Sequence, residues 1–114
     1  MQYLLQIYAD ETAMQNRSEG QTSEIHGAYM AYTEAMQKAG VMLGGNRLRP
    51  TAEATTLRAP NGRHSVENGP FAETREQLAG YYLIDVPDLD AALSWAARCP
   101  GVQYGAVEVR PIWA

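Results

Sequence analysis

One cysteine, one lysine, one phenylalanine and two histidines are all that 114 residues carry of those four types. Cys99 alone makes neither an internal disulfide nor a thiolate metal cluster; it is expected as a small, half-buried thiol near a helix end. His26 and His64 lie far apart without ligand spacing, so no metal site is expected. A basic excess is also missing. Nine Lys and Arg against thirteen Asp and Glu leave a net charge of −4, which speaks against a nucleic-acid partner. Eight of the nine cations are Arg, a bias that genome base composition explains as well as carboxylate recognition does. No apolar run approaches the ~20 residues of a membrane span. The opening Met1-Gln2-Tyr3-Leu4-Leu5-Gln6-Ile7-Tyr8 has no basic region and is interrupted by Gln6, so it reads as a strand and not a leader. A cytoplasmic protein with no membrane partner is the expectation. No dinucleotide fingerprint, phosphate loop or Ser/His/Asp arrangement is readable, and no cofactor is expected.

The hydrophobic fraction of 46% is enough for a core, and the length predicts one domain over 1–114. Residues 2–8 predict a strand rich in Tyr, Leu and Ile. Residues 9–21 are polar and predict a long loop with one helical turn near 11–15. Thr22 or Ser23 would cap a helix over 23–39, where Ile25, Tyr29, Tyr32 and Met36 recur at helical spacing. Gly40 ends it. Val41-Met42-Leu43 predicts a short strand running into a Gly44-Gly45 turn. Residues 52–58 and 64–67 predict a hairpin about Pro60-Asn61-Gly62. Residues 80–86 predict a buried strand. Asp88 would cap a helix carrying Leu89, Ala92, Leu93, Ala96 and Ala97, stopped by Cys99-Pro100-Gly101. Residues 104–113 predict the last strand. Without the hairpin the order is βαββαβ, so the expected class is α+β, ferredoxin-like, with an inserted β-hairpin. Two helices cover only one sheet face. The other is left apolar, which predicts a homodimer with two sheets face to face.

The densest local signal is Asn68-Gly69-Pro70-Phe71-Ala72-Glu73-Thr74-Arg75-Glu76-Gln77-Leu78, followed by Gly80-Tyr81-Tyr82. A tight turn, one apolar anchor in Phe71 and a run of charge deliver Glu73 and Arg75 beside a strand end. A plain connector with solvated charges has the same composition. With Gly-x-x-Leu-x-Pro at 45–50, Asp88-Leu89-Asp90-Ala91-Ala92 and Val107-Glu108-Val109-Arg110-Pro111, this stretch resembles the DGPF-domain proteins related to the YCII family. The resemblance implies a dimeric α/β barrel, and small-molecule chemistry by a His/Asp pair in some relatives. It also implies, through DGPF proteins encoded beside sigma factors, a regulatory setting. Two positions depart from the motif. Asn68 stands where the motif has Asp, so it hydrogen-bonds but offers no carboxylate. Arg75 stands at the family's lysine position, exchanging a point charge for a planar fork.

The candidate catalytic residues are therefore His26, Tyr32 and Glu73. His26 does not align with the relatives' histidine, which falls near Tyr29, and a surface histidine is the plainer account. Tyr32 is a core residue first, with a hydroxyl that would face a pocket second. The candidate ligand contacts are Arg47, Arg49, Asn68, Phe71 and Arg75; the alternative for the arginines is a structural network with Glu73. The expected function is binding of a small organic molecule in the barrel, with acid–base catalysis open. The other reading is a non-catalytic sensor or protein-interaction module in sigma-factor-dependent transcription.

Overall fold

Alternation in the first strand sets the architecture. Strand β1 (Gln2–Ala9) buries Tyr3, Leu5, Ile7 and Ala9 on one face and leaves Leu4, Gln6 and Tyr8 half-buried on the other. Strands β5 (Gln77–Asp85) and β6 (Gly105–Pro111) flank it, and β2 (Met42–Arg47) lies outside β5. A computed structural model describing residues 1–114 gives this four-stranded sheet the order β2-β5-β1-β6, every neighbour antiparallel. With helices α2 (Glu19–Lys38) and α3 (Leu89–Arg98) between the strands, this is the α+β, ferredoxin-like arrangement. A second, two-stranded antiparallel ladder is formed by β3 (Thr55–Arg58) and β4 (Ser65–Asn68). No helix is long and apolar enough to cross a membrane.

The core lies between the sheet and the helix layer. Leu5, Met36, Ile84 and Ala92 are wholly buried there, with Tyr32, Tyr82, Val86, Ala96 and Cys99 around them. Tyr32 and Tyr82 meet edge-to-face, centroids 5.5 Å apart. The apolar stripe of α2 behaves as its spacing predicts: Tyr32 and Met36 are buried, Ile25 and Tyr29 half-buried. Asp88 caps α3 by accepting from the Ala91 N–H at 2.9 Å. Cys99, expected half-buried, is fully buried at the C-cap of α3.

Several boundaries differ from the sequence reading. The helical turn near 11–15 is α1 (Glu11–Gln15), capped by Asp10. α2 then starts four residues early, because Ser18 and Gln21 form a reciprocal capping box. Gly44-Gly45 is no turn; β2 runs through it to Arg47. A Cβ at Gly45 would lie 2.7 Å from the Tyr82 ring, so the glycine is where that ring crosses the strand. Residues 51–53 coil as a 3₁₀ turn before the short β3. β5 begins at Gln77, earlier than Gly80. At the Asn68-Gly69 turn the positive φ falls on Gly69, at 106°.

The molecule is a slab, 46 × 42 × 18 Å, with a radius of gyration of 16.0 Å. A compact chain of this length has about 13 Å. Its accessible surface is 7,991 Å², where a compact monomer of this mass exposes about 6,200 Å². Both excesses have the same origin: one sheet face carries no helix, and the β3–β4 ladder packs closely on no other element of the chain.

Candidate functional site on the open sheet face

On the uncovered face, register lines up residues that are far apart in the chain. Asn46 on β2 opposes Tyr81 on β5, Tyr81 opposes Gln6 on β1, and Gln6 opposes Glu108 on β6. Four polar side chains therefore form one band straight across the sheet. The row on one side of the band is Gly44, Leu83, Leu4 and Arg110; on the other side Leu78 opposes Tyr8. An apolar surface with a few convergent polar groups has the chemistry of a small-molecule site.

The band is partly satisfied. Asn46 Nδ2 donates to the Tyr81 hydroxyl at 3.0 Å, which leaves that hydroxyl its own proton to give away. Arg110 Nε donates to Glu108 Oε1 at 2.8 Å and holds the carboxylate in place. Gln6 is the exception. Its Oε1 is closed off from solvent and accepts no hydrogen bond. It is the one buried side-chain polar atom in the chain left without a partner.

The residues singled out from sequence lie elsewhere, in three places. His26 and Tyr32 belong to α2, on the opposite side of the sheet. His26 is exposed to solvent. Tyr32 is core; its hydroxyl donates to the Trp95 carbonyl at 2.7 Å instead of facing a pocket. Burial, with the Cys99 thiol beside it, pushes that hydroxyl well above the ordinary phenol range, and Tyr29 is raised in the same way. Arg47 ends β2. Arg49 pairs with Glu53 at 2.8 Å, and the alternative network with Glu73 does not form. Asn68, Phe71, Glu73 and Arg75 sit on or beside the ladder, all exposed. Phe71 is no anchor: it is 73% exposed, with the Arg58 guanidinium stacked 4.7 Å from its ring centre. No three His, Cys, Asp or Glu side chains converge as metal ligands.

A structural clasp at the base of the ladder went unnoticed in the sequence. The Glu11 carboxylate accepts from the Thr51 N–H at 2.8 Å and the Thr51 hydroxyl at 2.7 Å, while the Glu11 N–H donates to Gln77 Oε1 at 3.0 Å. It ties α1 to both segments that lead into the ladder.

The model of the YCII-related domain matches residues 1–114. This chain belongs to the YCII-related family. An uncharacterised protein of Rhizobium meliloti strain 1021 is 38% identical to it, covering 98% of this chain and 92% of its own length. Among solved structures, the 5-chloro-2-hydroxyhydroquinone dehydrochlorinase of Burkholderia phenoliruptrix AC1100, in complex with 2,5-dihydroxybenzoquinone, has a similar fold. The TM-score is 0.57 at 16% identity, over 100% of this chain and 94% of that one. At that identity the likeness is one of YCII-type fold.

Proposed function

We propose that two copies of this YCII-related chain pack their open sheet faces together as a dimeric α/β barrel and hold a small hydroxylated ring at the polar band. Gln6 carries the reading. A dry carbonyl oxygen without a donor costs about 1–3 kcal/mol, and that cost is removed when the Gln6 amide turns its Oε1 toward the open face to accept from a ligand hydroxyl. Tyr81 then donates to a ligand oxygen, and Glu108 accepts from a second hydroxyl. Leu4 and Leu83 on one side, and Tyr8 and Leu78 on the other, give a flat ring its walls. A similarly folded dehydrochlorinase in complex with a dihydroxybenzoquinone supports this ligand class. Glu108, clamped by Arg110, is the one carboxylate of the band, so a reaction there has a single carboxylate per subunit to act as base, beside the Tyr81 hydroxyl. The Asn68-Gly69-Pro70-Phe71 turn supports a DGPF-type member in which Asn68 serves as a turn former. A cytoplasmic setting belongs to the same proposal.

The test is thermal unfolding with a panel of phenols, hydroquinones and small acids. A ligand that binds only the folded state, at a hundred times its Kd, stabilises it by about 2.7 kcal/mol. Gln6→Leu and Tyr81→Phe should each abolish the shift; Gln6→Leu, which removes the orphaned carbonyl, should also raise the unliganded melting temperature, while Tyr81→Phe leaves it nearly unchanged. A hydroquinone-induced shift that survives both substitutions would place the ligand elsewhere and end this reading.

A further inference from the structure

We infer that the β3–β4 ladder is an exchanged arm, which crosses to a second copy of this chain and packs Leu57 and Val66 against it. The inference rests on the two-copy reading above. Leu57 and Val66 stand directly opposite each other, so they share one face of the ladder. They are 59% and 67% exposed. The other face holds Thr56, Glu67, Arg58 and Ser65, two of them charged. That is the alternation of a sheet with one covered side, yet nothing in the same chain covers it. A two-stranded ladder of four residues a side does not hold its shape in water unaided.

The base of the ladder is built, as an aimed element requires. Gly69 N donates to the Ala54 carbonyl at 2.7 Å, and the Thr56 hydroxyl donates to the Gly69 carbonyl at 2.8 Å. Arg58 Nη2 donates to the Phe71 carbonyl at 3.2 Å while stacking on its ring. Together with the Glu11–Thr51 clasp, these bonds give the ladder a defined departure from the body.

Area selects the occupant. The chain exposes roughly 1,800 Å² more than a compact monomer of its mass. Four strands at about 4.8 Å spacing and about 20 Å length present on the order of 400 Å² of flat face. That plane is far smaller than the excess, so contact between the sheet faces alone leaves part of it unexplained. An arm embracing the partner accounts for the remainder and brings the interface into the range of permanent dimers, above about 1,000 Å² per subunit. A two-fold contact covers both arms at once, which a single foreign partner does not.

The experiment combines sedimentation equilibrium with hydrogen exchange on the full chain, using the Leu57→Ser/Val66→Ser double variant and, separately, Leu83→Glu on the sheet face. The unmodified chain should be a dimer whose amides at 55–58 and 65–68 are protected above the dimer Kd and exchange freely below it. The arm variant should weaken the dimer tenfold or more with its circular dichroism unchanged. A dimer in which those amides exchange as fast at high concentration as at low, and whose Kd the arm variant leaves unaltered, overturns the exchanged arm while the two-copy reading stands; Leu83→Glu would still dissociate it. A chain that is monomeric at every concentration overturns both. Hydrogen exchange on the unmodified chain decides the matter even if the double variant fails to fold.

Discussion

The pair β1–β5 and the pair β3–β4 are built from the same antiparallel backbone bonds, yet they differ in nearly everything else. Behind the first stand Met36, Ala92 and Cys99, buried against Leu5 and Ile84. Behind the second stands water, with Leu57 and Val66 open to it. Ladder hydrogen bonds exchange water for backbone and contribute little net; what separates the two is apolar area removed from solvent. The body is a structure in its own right. The arm is one only in company.

The contrast can be broken from the body side first. Met36→Ala empties a wholly buried site between α2 and the sheet and should cost about 2–5 kcal/mol in urea unfolding. Gly105→Ala comes next. Its added Cβ would lie 2.0 Å from the Tyr8 carbonyl oxygen at the start of β6, where backbone must move, so about 1–3 kcal/mol is expected. Alkaline pH is a third lever. Burial raises the Cys99 thiol, only partly offset by the neighbouring Gly101 N–H and the Tyr29 hydroxyl, to which the thiol donates. The folded state therefore prefers the neutral thiol, and its stability is complete below the unfolded value of about 8.5. Above that pH the unfolded chain releases the proton first, and stability should fall by up to about 1.4 kcal/mol per pH unit until the folded thiol also ionises. Cys99→Ala should remove this component of the slope. Tyr32→Phe strips a donor from the Trp95 carbonyl and should cost about 0.5–1.5 kcal/mol. Smallest of all, Glu67→Gln on the polar face of the arm should change unfolding by less than about 0.5 kcal/mol. If it matched Met36→Ala, the division between body and arm would be wrong.

How much of this was legible in the sequence depends on whether the signal was local. The α2 stripe at Ile25, Tyr29, Tyr32 and Met36, the Asp88 cap and the alternation of β1 are written within a few residues, and the structure follows them. So is the Ser18–Gln21 capping box, although the polar stretch around it drew attention to Thr22 and Ser23. Gly44-Gly45 reads as a turn because the reason for glycine there is a ring thirty-seven positions on, at Tyr82. The polar band is harder still. Asn46, Tyr81, Gln6 and Glu108 share no local pattern, and only strand order and register bring them into line. The turn after Asn68 drew the eye because charge density shows in a sequence. A row across four strands does not.

The lone lysine has a practical consequence. Lys38 is the last residue of α2, well exposed and paired only with Glu34, on the side of the sheet away from the polar band. The α-amino group, by contrast, is held by Asp85 Oδ1 and the Val86 carbonyl, each at 2.9 Å. Coupling a dye, a bead or a sensor chip through the Lys38 side chain should therefore leave the polar band unlabelled.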